Sequence, residues 1–280
     1  MLFDIMYNMS HKIGVLTVVY QNYTVLQEFL KSLEQQTDTD FHLFIADASK
    51  DKQTIASDKI DITVVDIENL GYAHGINVGI REAYKHNITS YCVINDDTYF
   101  EKNFIRNVRK SLTANPRSLI GGKIYYAPGF EYHKQRYQKK DQGRVLWYAG
   151  GITDWNHVTT THRGVDEVDK GVYDKTEETD FITGCLMCFD HDVVETIGFW
   201  DIRYFLYYED ADYCERAKKE NVSCIYDPSL VIWHKNAQST DGAGSKIHQT
   251  YQTKNRLRFG LKYAPLRTKM HLIKNYFLSF

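Results

Sequence analysis

Tyr91-Cys92-Val93-Ile94-Asn95-Asp96-Asp97-Thr98 is an apolar run that stops abruptly at two carboxylates. The apolar half is short and partly β-branched; Thr89-Ser90 precede it and a helical pattern from Phe100 to Leu112 follows. Such a segment is expected to be a parallel strand buried on both faces. Ligands of open α/β sheets sit beyond the carboxyl ends of the strands, which places Asn95, Asp96 and Asp97 where a substrate would lie. Adjacent carboxylates repel by on the order of 1 kcal/mol or more when partly desolvated. A divalent cation would relieve that repulsion, and so would the donors of a helix-capping turn; the pair alone leaves both readings open.

Working outward, the same strand-then-helix unit recurs. Ile13 to Val19 is an apolar strand, followed by Tyr20-Gln21-Asn22-Tyr23 and by Leu26, Phe29, Leu30 and Leu33 at helical spacing. Phe41 to Ala46 is a second strand, ending at Asp47 in the turn-forming run Asp47-Ala48-Ser49-Lys50-Asp51. Ile62 to Val65 is a third, after which Asn69 to Ile80 enters a helix reaching about His86. These alternations predict an α/β chain: a doubly wound, mostly parallel sheet with helices on both faces. The four-residue spacing of Gly71, Gly75 and Gly79 is not the dinucleotide fingerprint. It fits close helix packing, and at a helix entrance it also lets backbone N–H groups approach a phosphate or sugar.

After Leu112 the pattern changes. Leu119 to Tyr126 is strand-like, whereas residues 127–178 are polar, irregular and aromatic, with Tyr132, Tyr137, Trp147, Tyr148, Trp155 and Tyr173 scattered through them. Hairpins and a long loop over the sheet edge are expected, and the aromatics suit sugar stacking and ordinary packing equally. Phe181 to Phe189 resumes as a buried strand, with a short helix from His191 to Ile197. Cys185-x-x-Cys188 lies inside that strand; no second pair has matching spacing, which argues against a zinc knuckle. Phe205 to Ala217 is an aromatic run opening into a helix whose first turn holds Glu209, Asp210 and Asp212, where acids complement the helix dipole. Asp212 and Arg216, four apart, are expected to pair on its surface. Ser223 to Tyr226 is a strand that Pro228 is expected to break, and Leu230 to Trp233 leads to His234.

With 280 residues and 43% hydrophobic content the chain supports one sizeable domain with an appendage. No run of 18 apolar residues occurs, Asp4 and Asn8 interrupt the N-terminal segment, and five cysteines suit a reduced compartment, so a cytoplasmic location is expected. The net charge of −2 hides an asymmetry: from Gly242 onward there are eight basic and no acidic residues, which leaves 26 basic and 36 acidic elsewhere, a net of −10. Net basic charge confined to one tail of an otherwise acidic chain gives a nucleic-acid partner little support, and none is expected.

Together the motifs resemble a family 2 glycosyltransferase of the GT-A fold, most closely its bacterial rhamnosyltransferase-like branch. The residues that carry the resemblance are Val18-Val19-Tyr20-Gln21-Asn22, Asp47 with Ser49, Asn69-x-Gly71 through Asn77-x-Gly79, Asn95-Asp96-Asp97, Thr183-Gly184-Cys185-Leu186-Met187, Tyr208-Glu209-Asp210-Ala211-Asp212 and Trp233-His234-Lys235. The resemblance implies a glycosyltransferase domain over residues 13–241, with a nucleotide-sugar half (13–126) and an acceptor and catalytic half (127–241), between an extension (1–12) and a largely helical basic tail (242–280). It implies that Val19, Tyr20, Asn22, Asp47, Asn69, Gly71, Gly75, Asn77 and Asp96 line the nucleotide-sugar pocket. Asn95 takes the first position of the D-x-D-like triplet, which leaves Asp97, with His234, as the implied ligands of Mn²⁺ or Mg²⁺. Thr183, Gly184, Glu209 and Trp233 would face the sugars, and Asp210 would be the catalytic base.

What the resemblance implies chemically is inverting transfer, by single displacement, of a sugar from a dTDP- or UDP-linked donor to a glycan or lipid-linked acceptor, in bacterial surface polysaccharide synthesis. A catalytically silent carbohydrate- or nucleotide-binding module of the same fold is the competing reading. The tail, with aromatics among unopposed basic residues, suits the anionic inner face of the plasma membrane, and packing or homodimer contact is the alternative.

Overall fold

The computed structural model describes residues 10–236 and 246–278, so the extension before residue 10 and the first positions of the tail lie outside the described residues. In chain order the first half runs β1 (Ser10–Val19), α1 (Tyr23–Glu34), β2 (Phe41–Asp47), β3 (Ile62–Asp66), α2 (Tyr72–Lys85), β4 (Ile88–Ile94), β5 (Thr98–Tyr99), α3 (Phe104–Ala114) and β6 (Ser118–Tyr126). The second half runs β7 (Leu146–Tyr148), β8 (Gly151–Asp154), β9 (Thr159–His162), β10 (Glu177–Glu178), β11 (Leu186–Asp190), α4 (His191–Ile197), α5 (Glu209–Lys219), β12 (Ser223–His234), α6 (Lys246–Tyr263) and α7 (Leu266–Leu278).

The main sheet has the order β10-β12-β6-β11-β4-β1-β2-β3. β1 pairs in parallel with β2 and β4, β2 with β3, and β6 with β12. β11 is inserted between β4 and β6, antiparallel to both. The carboxyl ends of β1, β2, β4 and β12 therefore open on one edge, where a ligand of such a sheet belongs. Apolar residues at helical spacing seat α1: Tyr23, Leu26, Phe29, Leu30 and Leu33 are buried together. α2 lies so close to β1 that a Cβ at Gly75 would come within 2.5 Å of Val18 Cγ2. Gly71, at φ 101°, abuts Phe205, whose carbonyl oxygen would lie 2.4 Å from an added Cβ.

Several local expectations change. The third helix begins at Phe104, because Thr98–Tyr99 pairs with the end of β12 and Phe100 packs edge-on against Phe29. Only Leu186–Asp190 of the 181–189 run is strand, since residues 181–185 turn across the end of β4, where Cys185 O accepts the Asn95 amide. Pro228 does not break β12: the ladder to β6 shifts register between Asp227 and Val231, and a bulge tolerates a residue with no N–H. Asp212 is fully buried rather than on the surface; besides Arg216 it meets Lys262 and Tyr263 of α6. All five cysteines are free and buried.

Residues 127–178 form short strands and turns over the β6–β12 edge, held by buried Lys123, which pairs with Asp169 at 2.9 Å and with Asp174. In the tail, α6 seats Phe259 against Trp155, Tyr208 and Tyr263. Among the described residues no helix is long and apolar enough to cross a membrane.

Candidate active site

β4 ends at Ile94, and Asn95-Asp96-Asp97 turns across the open edge. The Thr98 hydroxyl donates to Asn95 O at 2.7 Å and closes the turn. Residue-by-residue pairing of Thr98 with His234 then carries the end of β12 over Asp97, and the Lys235 amide donates to Asp97 O at 2.9 Å. His234 Nε2 stands 3.1 Å from Asp97 Oδ1, with both side chains buried. Asp97 Oδ1 and His234 Nδ1 are both buried without a hydrogen-bond partner. Burial works to lower the imidazole pKa, but the facing Asp97 carboxylate and Cys185 raise it well above the usual histidine range. Burial, and then the neighbouring Asp97, raise Asp96 well above the usual carboxylate range.

A buried imidazole nitrogen, His234 Nε2, facing an unpartnered carboxylate oxygen, Asp97 Oδ1, at a strand end fits a divalent cation. Among the described residues no cluster of three or more ligating side chains occurs. Asp97 and His234 would thus supply part of the ligand set of Mg²⁺ or Mn²⁺, cations seldom caged by protein alone.

On the facing side, α5 starts from two consecutive left-handed aromatic residues, Tyr207 (φ 69°) and Tyr208 (φ 70°). That geometry presents Glu209 and Asp210 in the first turn. Asp210 Oδ2 accepts the Gly184 amide at 2.9 Å and Oδ1 accepts the Ala211 amide at 2.7 Å. Desolvation raises the Asp210 pKa, with those amides and the Thr183 hydroxyl opposing it. Glu209 is buried with Oε2 unpartnered, and burial followed by Asp210 raises it well above the usual carboxylate range.

Tyr72 ties the two sides together. Its hydroxyl lies 3.0 Å from Asn95 Oδ1 and 2.9 Å from Gly184 O. Sequence reading passed over Tyr72, and its only signal was adjacency to Gly71. Trp147, one of the aromatics that suited sugar stacking and packing equally, meets the His234 ring edge-on at 4.7 Å, while no sequence pattern marks His162, whose pKa burial pushes down to about 4.

The other expected residues divide. Asp47 is buried at the end of β2, accepting from Tyr23 OH at 2.7 Å and the Ser49 amide at 2.9 Å. Burial works to raise its pKa, but those hydrogen bonds and Lys52 hold it below the usual carboxylate range. The Gln21 amide donates to Ser49 Oγ at 2.7 Å, so the loop of Tyr20 and Asn22 after Val19 lies against the one after Asp47, with Val19 and Asp47 paired at the strand ends. Asn69 is exposed ahead of α2. Asn77 is buried, and both ends of its amide are taken by the Trp200 backbone at 2.8 and 2.9 Å. Gly75 is likewise occupied by packing on Val18. Trp233 stacks on Tyr99 at 5.5 Å and donates to Gly143 O at 2.8 Å, which leaves it half-buried beside His234.

The profile described as "Glycosyl transferase family 2" matches residues 14–197. A curated relative, the low-salt glycan biosynthesis hexosyltransferase Agl10 of Haloferax volcanii, is 24% identical over 156 residues, covering 55% of this chain and 45% of its own length. The chain thus spans about half the length of that relative. Two solved structures share the architecture over 95% of this chain. The crystal structure of GalNAc-T7 with UDP, GalNAc and Mn²⁺ has TM-score 0.66, 10% identity and 50% of its own chain covered. The mannosyltransferase PcManGT from Pyrobaculum calidifontis in complex with GDP-Man and Mn²⁺ has TM-score 0.52, 16% identity and 69% covered. The fold is GT-A.

Proposed function

Since the chain belongs to glycosyl transferase family 2, we propose that it transfers a hexosyl or rhamnosyl unit from a nucleotide-diphosphate sugar to a hydroxyl of a glycan or lipid-linked acceptor, with inversion. The observation that carries this reading is the opposition of two sites across Tyr72: Asp97 with His234 on one side, Asp210 on the Gly184 amide on the other. The family match and the resemblance of the curated relative's hexosyltransferase description support it.

In this reading the diphosphate lies at Asp97 and His234, where Mn²⁺ or Mg²⁺ supplies Lewis-acid neutralisation of the leaving charge. Asp210, on the opposite face of the sugar, takes the proton of the acceptor hydroxyl as its oxygen bonds to the anomeric carbon. The bond from that carbon to the diphosphate oxygen breaks in the same displacement, and its electron pair leaves with the diphosphate. A raised pKa suits Asp210 to this task, because a base must hold the proton it removes. Glu209, whose pKa burial and Asp210 raise, has an unpartnered oxygen for a sugar hydroxyl. The loop of Tyr20 and Asn22, with Asp47 beside it, shapes the base and ribose end, and Asn69 with Gly71 flanks it.

A membrane acceptor would bring α7 into play. Leu266, Met270 and Ile273 lie exposed on it among Arg267, Lys269 and Lys274, an arrangement suited to an anionic leaflet. Peripheral attachment at the inner face of the plasma membrane, in surface polysaccharide synthesis, is the setting we propose. The test is a calorimetric screen of UDP-, dTDP- and GDP-sugars with Mn²⁺, followed by product analysis with candidate acceptors. Binding of a nucleotide sugar without transfer or donor hydrolysis would favour the silent binding module.

A further inference from the structure

α6 carries a buried polar residue that the reaction as described does not use. Asn255 is almost fully enclosed, and its Nδ2 donates to two consecutive backbone carbonyls, Leu206 O at 2.8 Å and Tyr207 O at 3.0 Å. Those carbonyls belong to the turn that contains the left-handed pair Tyr207 and Tyr208 and runs directly into Glu209 and Asp210. Left-handed φ is unfavourable for bulky aromatic residues and persists only where the surroundings over-determine it.

α6 supplies the surroundings. Tyr251 stacks on Phe205 at 4.8 Å, Phe259 packs on Tyr208 at 5.3 Å, and Arg258 donates to Arg203 O. From the other side the turn meets α2: the Tyr72 amide donates to Phe205 O at 2.9 Å, and Gly71 leaves no room for a side chain. One short turn therefore touches the start of the helix that carries Tyr72, the Asp210 carboxylate and the tail helix.

We propose that Asn255 is a positioning residue: by holding the Leu206 and Tyr207 carbonyls it fixes the left-handed turn that aims Asp210 at the acceptor hydroxyl. The tail helix then acts in turnover, and not solely in stability or attachment. This inference rests on the reading of Asp210 as the base.

The test compares Asn255→Asp, which keeps the shape but replaces the NH₂ donor with oxygen, and Tyr251→Leu, which removes the stacking while leaving the amide. Arg256→Ala serves as control, since Arg256 is exposed and, among the described residues, donates to His157 O in the neighbouring loop. Each is made in the full chain, in wild-type and Asp210→Asn backgrounds, and kcat, donor KM and Tm are measured. Asn255→Asp is expected to lower kcat about tenfold or more with donor KM within about twofold, and to cost nothing further once Asp210 is Asn. Tyr251→Leu should show the same split more weakly, and should carry the test if Asn255→Asp does not fold. Arg256→Ala should leave kcat unchanged. A folded Asn255→Asp or Tyr251→Leu variant with wild-type kcat, or losses that multiply fully with Asp210→Asn, would overturn the proposal. If instead Asp210→Asn itself keeps wild-type kcat, the assignment of the base fails.

Discussion

His234 Nε2 and Asp97 Oδ1 face each other at 3.1 Å across the ends of two strands, each side chain with a polar atom that finds no hydrogen-bond partner. A buried acceptor left without a donor costs about 1–3 kcal/mol. In the proposed reading, a divalent cation held there with the donor diphosphate would offset that cost. Chelation with EDTA should abolish transfer, and Asp97→Ala or His234→Ala should weaken both Mn²⁺ and donor binding by about tenfold or more in calorimetry. Undiminished transfer in excess EDTA would remove the metal from the account.

The raised pKa of Asp210 has a direction in pH. The carboxylate works when ionised, and burial raises the pH at which it ionises. Activity should therefore fall as pH drops through a value above that of an exposed aspartate, about 3.9, and level off once the group is ionised. A pH profile of kcat/KM checks this; an acid limb at or below the exposed value would contradict it.

Asp212 anchors the tail. Fully buried, it accepts from Lys262 at 2.6 Å, Tyr263 at 2.9 Å and Arg216 at 3.0 Å. Removing one partner of a buried ion pair leaves the others uncompensated, so Asp212→Ala should lose about 3 kcal/mol of stability by urea denaturation. The half-exposed Lys262 keeps the loss at the lower end of that range. A loss below about 1 kcal/mol would mean that α6 is held by its apolar contacts alone.

The exposed stripe of α7 has a direct assay. Leu266→Asp with Met270→Asp, both at exposed positions, should abolish sedimentation with vesicles containing anionic lipid while leaving Tm unchanged. Equal binding by wild type and variant, or no binding by wild type at low salt, would detach the tail from the membrane.

The parts of the molecule that were legible in the sequence are those whose cause is local. Val93 and Ile94 ahead of Asn95-Asp96-Asp97 announce a buried strand with a polar end, and period alone places α1 and α2. The resemblance put Asn77 at the nucleotide sugar, but no residue pattern says which neighbour a buried amide meets; it meets the Trp200 backbone. Asp212 was misread for the same reason: Arg216 is visible four residues on, whereas Lys262 and Tyr263 arrive from a helix that only the tertiary fold brings near. Tyr72 and Asn255 make their defining contacts with backbone carbonyls far along the chain, and no residue pattern encodes such a partner. Pro228 signalled a break, but the register shift absorbs it.

The central claim is that Asp210 removes the acceptor proton in a single displacement. The most direct measurement is turnover of Asp210→Asn beside its donor affinity, because the substitution keeps the shape and one acceptor oxygen for the two amides that Asp210 now holds, but abolishes the base. The account predicts donor binding within about threefold of wild type and transfer lowered by about a hundredfold or more. Transfer within a few-fold of wild type, with the donor still bound, would contradict it.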